Sequence, residues 1–146
     1  MKLVFAVPLA ALALASCGGP KQVTVDHGWV RLPVVAGRPA AAYFTLHGGK
    51  QGAILIGVSS PDAKGAEMHE SMEMNGVSSM APLTQVAAPA GGSVKFEPGG
   101  KHVMLFGLAT AVHPGATVRL HFAFADGKTL DYSAKAIAAT APVPGD

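Results

Sequence analysis

Four of the chain's six methionines and one of its six histidines lie within residues 67–80, "EMHESMEMNGVSSM". Methionine usually belongs in a core. Here Met68, Met72, Met74 and Met80 stand among Glu67, Glu70, Ser71, Glu73, Asn75 and Gly76. Thioether sulfur and imidazole nitrogen are both metal donors, and a second such pair, His102 and Met104, follows in "HVMLFGL". Together His69, Met80, His102 and Met104 form the pattern H-x10-M-x21-H-x-M. On a strand, His102 and Met104 project to one face, since alternate residues share a side. His69 and Met80 flank the turn around "MNG" and can meet across a hairpin or its loop. Two local pairs on separate segments can then converge on one ion.

The donor types narrow the ion. Two imidazoles and two thioethers without a carboxylate suit Ca²⁺, Mg²⁺ and Mn²⁺ poorly, because those ions take oxygen. Zn²⁺ usually takes thiolate, imidazole or carboxylate. Soft thioethers select Cu(I). They also form no disulfides, although oxidation to the sulfoxide would impair the site. A blue-copper electron-transfer centre needs a Cys thiolate beside its histidines, and Cys17 is the single cysteine of the chain.

The elements that must position these residues read as strands. Gly and Pro punctuate the chain every eight to twelve residues, and the intervening runs are short and rich in Val, Ile, Leu, Phe and Thr, as in an all-β sandwich or barrel. Strands are predicted over 23–31, 41–48, 53–60, 66–71, 77–80, 83–88, 93–97, 102–108, 116–125 and 129–136. Val118, Leu120, Phe122 and Phe124 alternate with Arg119 and His121, which marks a half-buried strand. Asp126-Gly127 between two such runs is a hairpin signal. No segment carries a capped helical stripe, and no internal repeat is present.

The constellation and its surroundings resemble the periplasmic copper chaperones called PCu(A)C. The resemblance covers the four-residue pattern with both long gaps. It also covers "GWVRLP", "AAYFTL", "VSSPDA", "AEMHES", "EPGGKHVMLFGL" and "PGATVRLHFAF", in the family's order. It implies a cupredoxin-like Greek-key β-sandwich or barrel that binds one Cu(I) through His69, Met80, His102 and Met104. It further implies delivery of copper to the CuA centre of cytochrome c oxidase, sometimes alongside a Sco-type thioredoxin-like chaperone. Two positions depart from the family: Ser78 stands where a Met is frequent and Ala81 where an Arg is frequent. Residues 137–146 hold no His or Met, so no second copper site is expected in the tail.

The remaining residues have blander readings. Met68 alternates with His69 and should pack on the opposite side. For Met72 and Met74 two readings stay open, accessory sulfurs near the ion or exposed loop residues. His27, His47, His113 and His121 match no ligand spacing and read as surface or hydrogen-bonded residues. Trp29 reads as a core anchor. Glu67, Glu70 and Glu73 read as a solvated acidic rim.

The start of the chain carries an address. Lys2 precedes an apolar run from Leu3 to Ala15, the length of a signal peptide rather than a membrane span. "LASC" resembles a lipoprotein box, with Cys17 the lipidated first residue of the mature protein. The expected organisation is a signal peptide over 1–16, lipidated Cys17 and a flexible tether over 17–22, a copper-binding domain over 23–137 and a flexible tail over 138–146. The expected location is the periplasm of a Gram-negative bacterium, membrane-anchored through lipid. Eleven basic residues against nine acidic ones give a net charge of +2, no reason to expect nucleic acid as a partner. The mature domain is expected to be a monomer. No Ser-His-Asp arrangement, carboxylate pair or phosphate loop suggests an enzyme. The alternatives to a chaperone are copper storage or tolerance, and a metal-free β-sandwich binding module of the envelope.

Overall fold

The computed structural model describes residues 20–145. The signal sequence, Cys17 and the first part of the tether lie outside the described residues. Ten strands follow one another: β1 (Thr24–Arg31), β2 (Ala40–His47), β3 (Ala53–Ser59), β4 (Gly65–Met74), β5 (Val77–Pro82), β6 (Val86–Ala88), β7 (Ser93–Phe96), β8 (Lys101–Phe106), β9 (Thr117–Phe124) and β10 (Thr129–Ile137). The fold is all-β, and each run predicted from alternation and turn residues contains a strand.

The strands form one sheet in the order β5-β4-β8-β2-β1-β10-β9-β3-β6, with β7 also pairing β2. The β1–β10 pair is parallel and the others are antiparallel. The sheet curls over a single core, which brings β3 alongside β4 and β6 alongside β7. Along β2, Ala40, Ala42, Phe44 and Leu46 point inward, while Ala41, Tyr43, Thr45 and His47 alternate with them. In β9 the inward set is Val118, Leu120, Phe122 and Phe124, as the alternation predicts. Phe44 joins the two walls of the core. Its ring stacks on Phe96 at 4.2 Å between centroids and meets Phe122 edge-on at 4.9 Å.

Two elements differ most in length from their sequence expectations. β4 runs on to Met74 because Asn75 (φ +53°) and Gly76 (φ +75°) make a tight turn with both residues left-handed. An Asn-Gly turn of this kind matches strand twist and closes a two-residue hairpin. β6 begins only at Val86, because the Leu83 N–H is spent on the carbonyl of Met68 (2.8 Å) and prolongs the β5 side of the hairpin instead.

A bulge separates Asp26 from Trp29 in β1. Within it His27 takes φ +49°, an uncommon conformation for a residue with a side chain. Gly28 follows, and its N–H donates to the Tyr132 hydroxyl at 3.1 Å. A Cβ there would fall 2.3 Å from the Tyr132 ring, so only glycine fits the landmark "GWVRLP" at this point. Asp26 holds the bulge from its other side, with one carboxylate oxygen 2.9 Å from His27 Nδ1 and the other 2.9 Å from His47 Nε2.

Partial burial works against the charge on Asp26, but the hydrogen bonds and charges of His47 and His27 outweigh it and hold the carboxyl below its usual range. A carboxyl depressed in the folded state contributes stability that is present above its unfolded pKa and is lost as pH falls through the folded one. Asp26→Asn removes this dependence. Urea midpoints measured between pH 7 and pH 3 should therefore fall less steeply on the acid side in Asp26→Asn than in the wild type. Parallel curves would show that the contact carries no linkage.

Candidate metal centre

β4, β8 and β5 bring the four residues of the H-x10-M-x21-H-x-M pattern to one face. His69 of β4 stands directly opposite His102 of β8 in the strand register, and Met104 stands opposite Glu67. On the other side of β4, Ser71 stands opposite Met80 and His69 opposite Pro82. Directly opposed residues share a face of the sheet, as do residues two apart on one strand. His69, His102, Met104 and Met80 therefore all project outward, away from the core that Met68, Val103 and Leu105 fill.

His102 is also close to Met80 and faces the His69 ring. His102 Nε2 lies 3.3 Å from Met80 Sδ. The His69 and His102 rings lie 6.0 Å apart between centroids with planes 21° apart. His102 is only 5% exposed although it is on the outer face. Met80, at 53% exposed, caps it from the solvent side. Tyr43 of β2 flanks it from the other side, with ring centroids 6.5 Å apart.

The donor set fits a soft cation on evidence of this site itself. His69 Nδ1 is buried and has no hydrogen-bond partner. An unpaired buried acceptor costs roughly 1–3 kcal/mol. A soft cation would satisfy it, and the imidazole of His102 stands across from it in the register. Glu67 borders the set, its Oε2 3.0 Å from His69 Nε2. Glu67 is exposed, as a solvated rim requires, and makes this contact in addition. Glu70 is likewise committed, to Lys101 Nζ at 2.8 Å.

A family model described as "LpqE-like: Putative lipoprotein LpqE-like" matches residues 23–136. The chain belongs to the LpqE-like family. A relative in sequence, "Putative lipoprotein Lxx21020" of Leifsonia xyli subsp. xyli, is 31% identical over 125 residues, which are 85% of this chain and 75% of that protein. Among solved structures, apo-DR1885 from Deinococcus radiodurans is 28% identical with a TM-score of 0.61, covering 94% of both chains. The Cu(I) form of DR1885 is 26% identical with a TM-score of 0.58, covering 85% of this chain and 83% of that one. A copper-bound PCuAC domain from PmoF2 shares the fold, at 21% identity and a TM-score of 0.65, covering 82% of this chain and 96% of that domain. The LpqE-like domain is thus a cupredoxin-like β fold of the kind found in PCuAC domains.

The other sequence candidates separate on the LpqE-like scaffold. Met68 is buried in the core. Met72 and Met74 lie on Met68's side of β4, opposite to His69, and pair with Ser79 and Val77. β8 pairs β4 only as far as Glu70, so the hairpin continues beyond the sheet and leaves Met72 48% and Met74 73% exposed. The structure therefore does not bring these two sulfurs to the face that carries His69, Met80, His102 and Met104. His27 and His47 bond Asp26, His121 bonds Asp131, and His113 bonds the carbonyl of Pro114.

Trp29 is buried, but on the outer face rather than in the central core cluster. It packs on Tyr43 at 4.5 Å between ring centroids, and the Arg31 guanidinium lies 5.0 Å over its ring. Arg31 also donates to the carbonyls of Ala139 (2.8 Å) and Ala141 (2.7 Å), which ties the segment after β10 to this face. Burial pushes the Tyr43 phenol up, against a smaller opposing effect of Arg31, so it stays protonated at neutral pH. Sequence reasoning missed Tyr43 as a neighbour of the site. The alternation in "AAYFTL" turns it away from Phe44, but only the β2–β8 pairing sets it against His102.

Proposed function

We propose that this LpqE-like protein is an extracytoplasmic, lipid-anchored Cu(I) metallochaperone, anchored through Cys17, and not an enzyme. It holds one copper on the outward face of β4, β5 and β8 through His69, Met80, His102 and Met104, and it passes that copper to an acceptor. The observation that carries this reading is the direct opposition of His69 and His102 with the Met80 sulfur 3.3 Å from His102 Nε2. The likeness to DR1885, which has been solved with Cu(I), supports the choice of ion. So does the chemistry of a neutral donor set of two imidazoles and two thioethers.

A chaperone site must hold its ion and also release it. Met80 lies on the edge strand and is half exposed, so an incoming ligand can replace it first while His102 stays enclosed. The acceptor that the resemblance implies is the CuA centre of cytochrome c oxidase, with a Sco-type chaperone as a second partner. Titration of the mature protein with Cu(I) under reducing conditions, followed by native mass spectrometry, should give one copper per monomer and the acyl mass on Cys17. X-ray absorption should show both sulfur and nitrogen around the metal. Mixing the loaded protein with an apo CuA domain should then move the copper. Retention of copper against that acceptor would favour storage or tolerance, and no bound copper would favour a metal-free binding module.

A further inference from the structure

The two histidines of the centre use their ring nitrogens in opposite senses. His102 Nδ1 lies 3.0 Å from the carbonyl oxygen of Gly100. A carbonyl only accepts, so Nδ1 carries the proton and Nε2 keeps the lone pair, the one beside Met80 Sδ. His69 is reversed. Its Nε2 lies 3.0 Å from the Glu67 carboxylate, an acceptor when ionised, so Nε2 donates and the lone pair is left on Nδ1. Among the described residues, that Nδ1 is the buried side-chain atom without a hydrogen-bond partner. In each ring the proton faces an acceptor on its own strand or in the turn before it.

We infer that His69 takes copper through Nδ1 and His102 through Nε2, and that Glu67 is the positioning residue that locks the His69 tautomer. The inference rests on the copper reading of the site. Metal-bound histidines commonly donate the second ring N–H to a carboxylate or a backbone carbonyl, which fixes the ring and raises its basicity. This centre uses one of each, Glu67 for His69 and the Gly100 carbonyl for His102. Glu67 has a second effect. The four donors are uncharged, so a bound Cu(I) keeps its full positive charge. Glu67 stands opposite Met104 and supplies one negative charge beside the set. The other carboxylate of this stretch that pairs across to β8, Glu70, is already neutralised by Lys101.

The test reads the ring nitrogens directly. Long-range ¹H–¹⁵N spectra of the ¹⁵N-labelled mature protein should show His69 protonated on Nε2 and His102 on Nδ1 before metal is added. One equivalent of Cu(I) should then shift His69 Nδ1 and His102 Nε2. Glu67→Ala should give mixed tautomers at His69, leave His102 unchanged and weaken Cu(I) binding on the order of 10–100-fold, the usual cost of losing such an outer partner. Glu67→Gln keeps an acceptor for the Nε2 proton but not the charge, so it should retain the tautomer and lose less affinity than Glu67→Ala. If copper shifts His69 Nε2 instead, or if Glu67→Ala binds copper as tightly as the wild type, the assignment is overturned while the copper reading stands. If copper shifts no imidazole nitrogen, the copper reading falls and takes the assignment with it.

Discussion

Met80→Leu combined with Met104→Leu should lower Cu(I) affinity by more than the ~100-fold that follows loss of an outer-shell partner, since it removes half of the donors. Leucine keeps the apolar bulk at both places, so the loss reports sulfur rather than packing. The surroundings support that separation. Met80 is half exposed on the edge strand β5, and Met104 lies on the outer face of β8, opposite Ala41 and Glu67. Neither belongs to the central core, so the double variant should keep the wild-type unfolding midpoint. Competition with a Cu(I) chelator of known affinity measures the first effect and urea denaturation the second. Unchanged copper affinity in a folded double variant would remove Met80 and Met104 from the site. Met72→Leu with Met74→Leu is the matched comparison. Those two sulfurs lie on the opposite side of the hairpin, and their loss should leave affinity within twofold.

The largest effect on stability is expected at Phe44. Its ring is fully enclosed between Phe96 and Phe122 and joins β2 to the wall formed by β9. Phe→Ala in such a setting costs about 3–5 kcal/mol, from lost transfer energy and the cavity left behind. A domain of this size has roughly 5–15 kcal/mol in total, so Phe44→Ala should bring the fold near its limit. The effect should also reach the site, because Tyr43, the next residue, flanks His102. Phe44→Leu fills more of the cavity and should lie between the two. Denaturant unfolding monitored by Trp29 fluorescence checks this order, and a Phe44→Ala loss under 1 kcal/mol would mean that the aromatic cluster relaxes without cost.

The separation between what was legible and what was not follows the range of the interactions. Strand positions were legible because alternation is local: Val118, Leu120, Phe122 and Phe124 declare their inward face without reference to any other strand. The Asn75-Gly76 turn was legible for the same reason, since φ > 0 at both positions is a demand made on those two residues alone. Met68 could be placed opposite His69 by parity along one strand. Parity alone also places Met72 and Met74 with Met68, but only on the condition that β4 continues unbroken past Ser71. The predicted strand ended there, which is why their side stayed open. The length of β4 depends on the partner that β5 provides across the turn.

His102 and Met104 at i and i+2, and His69 and Met80 around one turn, were local pairs that the residues themselves announced. The register that opposes His69 to His102 joins segments 33 residues apart, and no local rule carries it. It is decided by which hydrophobic face covers which, with Val103 and Leu105 of β8 and Met68 of β4 buried in the same core. Once that packing is set, the outer face has no further freedom. The four side chains of the pattern then share one face, Tyr43 comes to the flank of His102, and Glu67 reaches the His69 ring. The sequence by itself determined the His and Met side chains of the pattern and the strands that carry them, since these depend on composition and on short-range geometry. Only the tertiary structure decided which acceptor each histidine ring faces, the Glu67 carboxylate for His69 and the Gly100 carbonyl for His102, because both contacts are made as the sheet closes over its core.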